Sequence, residues 1–133
     1  MIFEIRVISK NNLDSKGQDL LNEIIRTLNI KSINKIRTVK VYRLEGINKK
    51  DVQKFVDIAL YESIDQIATI NKKIFKDANK IVEVAYKPGV MNPEAASILK
   101  IAKDLGIKLI AADSSLEYAF FGNISNEKIS GIV

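Results

Sequence analysis

Chemistry in this 133-residue chain has to come from carboxylates, lysines, hydroxyls and backbone amides, because Cys, His and Trp are all absent. Two acidic sets stand out: Asp57, Glu62 and Asp65, and Asp113 with Glu117. Neither has the spacing that a metal site or a general acid/base pair requires, so both read as solvated surface charge. Lys87-Pro88-Gly89 follows a predicted strand and precedes a helix opening at Asn92-Pro93. Amides there could face an anion, with Lys87 adding charge and the helix dipole favouring it. The plainer reading is a turn in which Pro and Gly serve backbone geometry. The glycines lie too far apart for a phosphate-cradling loop of the Walker or dinucleotide type. Tyr42, Tyr86, Tyr118, Phe120 and Phe121 fall in predicted strands. Single-stranded RNA is stacked on such aromatics, but a half-buried sheet needs the same residues, and core packing is the preferred use.

The missing residue types exclude whole classes. No disulfide framework, cysteine nucleophile, histidine base or Cys/His zinc site is available. Hydrophobic residues make up 47% and charged residues 28%, which suits one packed domain. The net charge is +5, yet only Arg6, Arg26, Arg37 and Arg43 are arginine, the residue that reads guanine and phosphate bidentately. The basic balance is therefore a weak sign of a nucleic-acid partner, and Lys49, Lys50, Lys54, Lys72, Lys73 and Lys76 read first as solubility devices. No 18-residue apolar run and no charged-then-apolar leader occurs. The expectation is a cytoplasmic protein without a membrane span or secretory signal.

The elements that would position these groups show an internal echo. Shifted by 77 residues, Ile5-Arg6-Val7 falls on Val82-Glu83-Val84, Leu21 on Ile98, Ile24 on Ile101, and Ile47 on Ile124. Between these, Tyr42 to Gly46 matches Tyr118 to Gly122 better at a shift of 76. A slip of one residue turns a strand over, and the pattern leaves the choice open. Strands are predicted at 2–8, 36–45, 80–87 and 114–122. A first helix carries Leu20, Leu21, Ile24, Ile25 and Leu28, with Ser15 and Gln18 as a capping box. A second follows Gly46, with Asn48 as cap and Val52, Phe55, Val56, Ala59 and Leu60 as its stripe. A third is bounded by Asn92, Pro93 and Gly106, with Ile98, Leu99, Ala102 and Leu105 facing inward. Residues 64 to 76 return to the sheet as strand or irregular chain, and Asp77-Ala78-Asn79 turns. The expected fold class is α+β: tandem β-α-β-α-β repeats forming an internal pseudo-dimer, with a mainly antiparallel sheet and helices packed on it. Residues 1–78 would be a complete first repeat. Residues 79–133 would be a second, truncated one, as expected for part of a longer polypeptide.

Tyr42-Arg43-Leu44-Glu45-Gly46, the Leu28-Asn29-Ile30 helix exit, and Tyr86-Lys87-Pro88-Gly89 leading to Ala95 and Ser97 occur in an order that resembles the start of large phosphoribosylformylglycinamidine synthases. Those enzymes begin with a domain similar to two fused PurS subunits, each β-α-β-α-β. The resemblance runs from about residue 2 to 125. It departs at Phe120-Phe121-Gly122, where the family more often has an apolar-Glu-Gly ending, and at Lys10-Asn11-Asn12-Leu13, which lacks a glycine common among relatives.

The resemblance implies a non-catalytic module that bridges the synthase and glutaminase parts of an ATP- and magnesium-dependent enzyme of purine biosynthesis. No cofactor would bind this chain itself. Lys87, Pro88, Gly89, Tyr42 and Arg43 would be its binding or interface residues, and a homodimer is a further possible association. From a different class, a paired β-α-β domain sensing a small metabolite also fits the pattern, and an RNA-binding module fits it less well.

Overall fold

The computed structural model describes residues 2–10, 15–28, 32–61, 65–85 and 92–122. Strands are β1 (Ile2–Ser9), β2 (Ile33–Glu45), β3 (Gln66–Ile70), β4 (Lys80–Ala85) and β5 (Ala111–Gly122). Helices are α1 (Ser15–Leu28), α2 (Lys49–Phe55), which continues as a π-helical turn over Val56–Leu60, and α3 (Pro93–Asp104). The fold is α+β. The five strands among the described residues form one antiparallel sheet in the order β3-β1-β2-β5-β4.

The three helices pack on one face of that sheet. Strand register sets which side chains meet them: Ile5 lies opposite Tyr42 on one side and Ile70 on the other, and Tyr42 lies opposite Ser114. Phe3, Ile5, Val7 and Leu44 from the sheet join Val52, Phe55, Val56 and Leu60 from the second helix and Ile98 and Ala102 from α3 in the main core. A smaller cluster joins Leu21 and Ile24 of α1 to Ile33, Ile36 and Phe120. The predicted stripes are rotated slightly. Ile25 of α1 is 39% exposed and Leu105 is 36% exposed, while Ile101 of α3 packs against the core.

Local signals place the element ends. The Asn92 side chain accepts from the Glu94 amide, Pro93 opens α3, and the Ile107 amide returns to the Ala102 carbonyl around Gly106. Asn48 does stand at the N-cap of α2, but it caps without a side-chain hydrogen bond. Gly46 (φ 84°) and Gly122 (φ 126°) both adopt the left-handed region where the predicted strands close. At Gly122 a Cβ would lie 2.3 Å from the Ser32 carbonyl oxygen, so only glycine lets the chain pass.

The other face of the sheet is crossed by residues 71–79, which connect the edge strand β3 to the opposite edge strand β4. Ile74 and Phe75 of this crossing cover Ile8, Val39 and Val41. Phe75 meets Phe121 edge-on at 5.9 Å and lies under the Arg37 guanidinium. Asn71, itself left-handed, ties the start of the crossing to β1 through both the amide and the carbonyl of Glu4.

Both shifts recur in the strand pairings. Ile5 and Val82, 77 residues apart, pair with Tyr42 and Tyr118, 76 residues apart. Each β1·β2 pair from Phe3 to Val7 maps in this way onto a β4·β5 pair from Lys80 to Val84. Under the shift of 76, Lys40 corresponds to Leu116, and these two residues lie directly opposite each other in β2·β5.

Candidate functional site

Tyr42 and Arg43 are neighbours in β2, so the pleat sends them to opposite faces. They seed two separate polar sites. Lys87, Pro88 and Gly89 lie outside the described residues, although Asn92, just after them, reaches the Tyr42 side.

On the helix face, Tyr42 sits beside Glu94, which forms an ion pair with Lys40, and the Lys40 ammonium lies 5.8 Å from the centre of the Tyr42 ring. The Asn92 amide nitrogen donates to Asp113 Oδ1 and to Ser114 Oγ, each at 3.0 Å. Burial pushes the Tyr42 phenol above the usual tyrosine value and the Glu94 charge pushes it further, so it stays protonated at neutral pH. A groove of about 320 Å³ runs beside it, between Tyr42, Ala59, Pro93, Ser97 and Ile101.

The open face carries a chain of alternating charges. Arg6 binds Glu4 at 2.6 Å and Glu117 at 3.1 Å. Arg43 binds Glu4 at 3.0 Å and Glu83 at 2.7 Å, and Ser115 Oγ also donates to Glu83 at 2.7 Å. The chain spans β1, β2, β5 and β4, so one ionic network laces four strands. Only 7% of the Arg6 side chain and 13% of that of Glu117 remain exposed. Glu117 is therefore not the solvated charge its sequence context suggests. Burial alone would push the Glu83 carboxyl up. The hydrogen bonds from Ser115 and Arg43, with the positive charges of Arg43 and Arg6, outweigh it and hold the carboxyl below its usual range. For Arg6, burial disfavours the charge, and the Glu117 and Glu4 contacts more than restore it.

Beside this network lies a cleft of about 260 Å³. Its floor is Arg6, Arg43, Glu83 and Glu117, and Lys73, Ile74 and Phe75 of the crossing form a wall. Sequence reasoning missed it because its parts are far apart: Arg6 and Glu117 are 111 residues distant. A signal was present, since Glu4/Arg6 and Ser115/Glu117 are polar residues two apart on strands, a spacing that places them on one face. Among the described residues, no group of three or more His, Cys, Asp or Glu is arranged to hold a metal ion. The acidic residues Asp57 and Asp113 are exposed and accept from Gln53 and Asn92. No helix among the described residues is long and apolar enough to cross a membrane.

No protein-family model matches this chain, and no curated protein matches it at a significant level. The case for a function therefore stands on the geometry and on the residue pattern.

Proposed function

We propose that this chain is a non-catalytic assembly module built from two related β-α-β halves, serving a phosphoribosylformylglycinamidine synthase by bridging its synthase and glutaminase parts. The observation that carries the reading is the shared register. Phe3–Val7 with β2 and Lys80–Val84 with β5 superpose under the same pair of shifts, and Lys40 faces its own counterpart, Leu116. This is the pairing expected of a duplicated unit whose copies meet along their second strands. The family assignment comes from the order of Tyr42–Gly46, Tyr86–Gly89 and the helix exits. In that reading ATP, magnesium and the glutaminase nucleophile belong to the partner parts.

The two halves support each other physically. A β-α-β unit of this size buries little apolar surface alone. Joining β2 to β5 over most of their length makes one sheet on which all three helices can pack. Such a platform suits bridging, since its rigid core leaves helix surfaces and sheet edges to meet partners. The test is reconstitution. The purified chain is combined with separately produced synthase and glutaminase parts, and glutamine-dependent formation of formylglycinamidine ribonucleotide is measured together with complex formation by size-exclusion chromatography. The expected result is a complex with restored glutamine-dependent turnover, and none by the chain alone. Absence of any complex, or turnover by the isolated chain, overturns the proposal.

A further inference from the structure

The cleft on the open face lies apart from the helix surfaces and sheet edges given to partners above, sharing only Arg43 with the expected interface residues, and its chemistry is specific. We propose that it binds a free α-amino acid with an apolar side chain.

Size comes first. Sites for drug-sized ligands span about 300–1,000 Å³. At about 260 Å³ this cleft falls below that range and suits one small molecule better than a nucleotide. Charge narrows the class. Lining residues of both signs lie side by side, with Arg6, Arg43 and Lys73 against Glu83 and Glu117, and Glu4 stands behind them. A phosphate or other pure anion would meet the carboxylates, and a pure cation would meet the guanidinium groups. A zwitterion satisfies both.

Hydrogen-bonding capacity remains for it. A guanidinium has five N–H donors. Arg43 commits its Nε to Glu4, its Nη1 to Ser115 and one Nη2 hydrogen to Glu83, which leaves donors on both Nη atoms. Glu83 takes Arg43 and Ser115 on Oε2, so its Oε1 is open to an ammonium group. Lys73, exposed at the rim, adds a positive charge for the carboxylate end. The rest of the lining is apolar, with Ile74 and Phe75 on the crossing facing Val39 and Ile81 on the strands, which suits an aliphatic or aromatic side chain. These contacts use the network as it stands and require no ion pair to break.

The experiment is a two-dimensional amide NMR titration of the chain with L-leucine and with L-phenylalanine at physiological salt. Saturable shifts are expected at the amides around Arg6, Phe75 and Glu83. The corresponding amine lacking the carboxylate, and the acid lacking the ammonium, should each bind about tenfold more weakly or worse. Glu83→Gln removes the ammonium partner and should weaken binding about tenfold. Lys73→Ala, at an exposed position, should weaken it severalfold. No saturable shift with either amino acid overturns the proposal. So does equal affinity for the amine or the acid, or unchanged binding by the Glu83→Gln chain. The helix face and the assembly test are untouched by any of these outcomes, so the two proposals stand or fall separately.

Discussion

On the helix-covered face, Ile5, Leu44, Phe55 and Val56 lose all contact with solvent among other apolar side chains. On the open face a comparably central position holds Arg6, a cation gripped by two carboxylates from two strands. Both arrangements tie the same strands together, but through different physics. Apolar burial is non-directional and rises with area, so the helix face supplies most of the stability. The ionic network offsets a desolvation cost before it contributes anything, and its benefit lies largely in geometry. A register slip of one residue between β1 and β2 would carry Arg6 into the helix-packed core and leave Glu117 unpartnered. The charged face therefore penalises wrong pairings that an apolar face alone would tolerate.

The contrast can be broken from either side. Phe55→Ala removes a fully buried ring from the helix face and should lower the unfolding free energy by about 3–5 kcal/mol, read from the urea midpoint. A loss below about 1 kcal/mol would mean that the helix face is not the main store of stability. Arg6→Met should cost less, about 2–3 kcal/mol, because it strands Glu117 on a face that water partly reaches, while Glu4 keeps its contact with Arg43. Adding Glu117→Leu to that variant should restore part of the loss. A strictly additive double variant would show that the two residues do not interact.

The smallest effect is the pH dependence of the open face. Glu83 has its folded-state pKa below the ordinary carboxylate value, so it binds protons less readily folded than unfolded. Its contribution is fully present above the unfolded pKa, near 4.5, and is lost as the pH falls through the lowered folded value. The Tm should therefore fall on acidification below that point, and Glu83→Gln should make the fall shallower. Because the group is partly exposed, the difference should shrink in high salt. An identical Tm profile for the variant would show that Glu83 is not held by the network.

The sheet and helices were legible where the signal is local. Asn92-Pro93 and Gly106 bound α3 because caps act on amides and carbonyls within one turn. Val52, Phe55, Val56 and Leu60 carried a helical period and are all buried. Ile25 did not follow its stripe, since a helix face wide enough to hold both Ile24 and Ile25 meets the sheet along one edge only. The candidate site was legible in part. Tyr42 and Arg43 were picked out as a pair, but adjacency on a strand is what separates them.

Local sequence, by itself, determined the type of the long elements, the caps of α3, the glycine positions that require left-handed backbone, and the exclusion of cysteine and histidine chemistry. Each of these depends on forces between residues close along the chain, or on which side chains exist at all. Only tertiary structure decided that Ile5 pairs with Tyr42 and Val82 with Tyr118, that Glu117 is buried against Arg6, and that the 71–79 crossing walls a cleft. Those outcomes depend on which strand lies beside which. Pairing joins residues far apart in sequence, so no short window of the chain contains both partners.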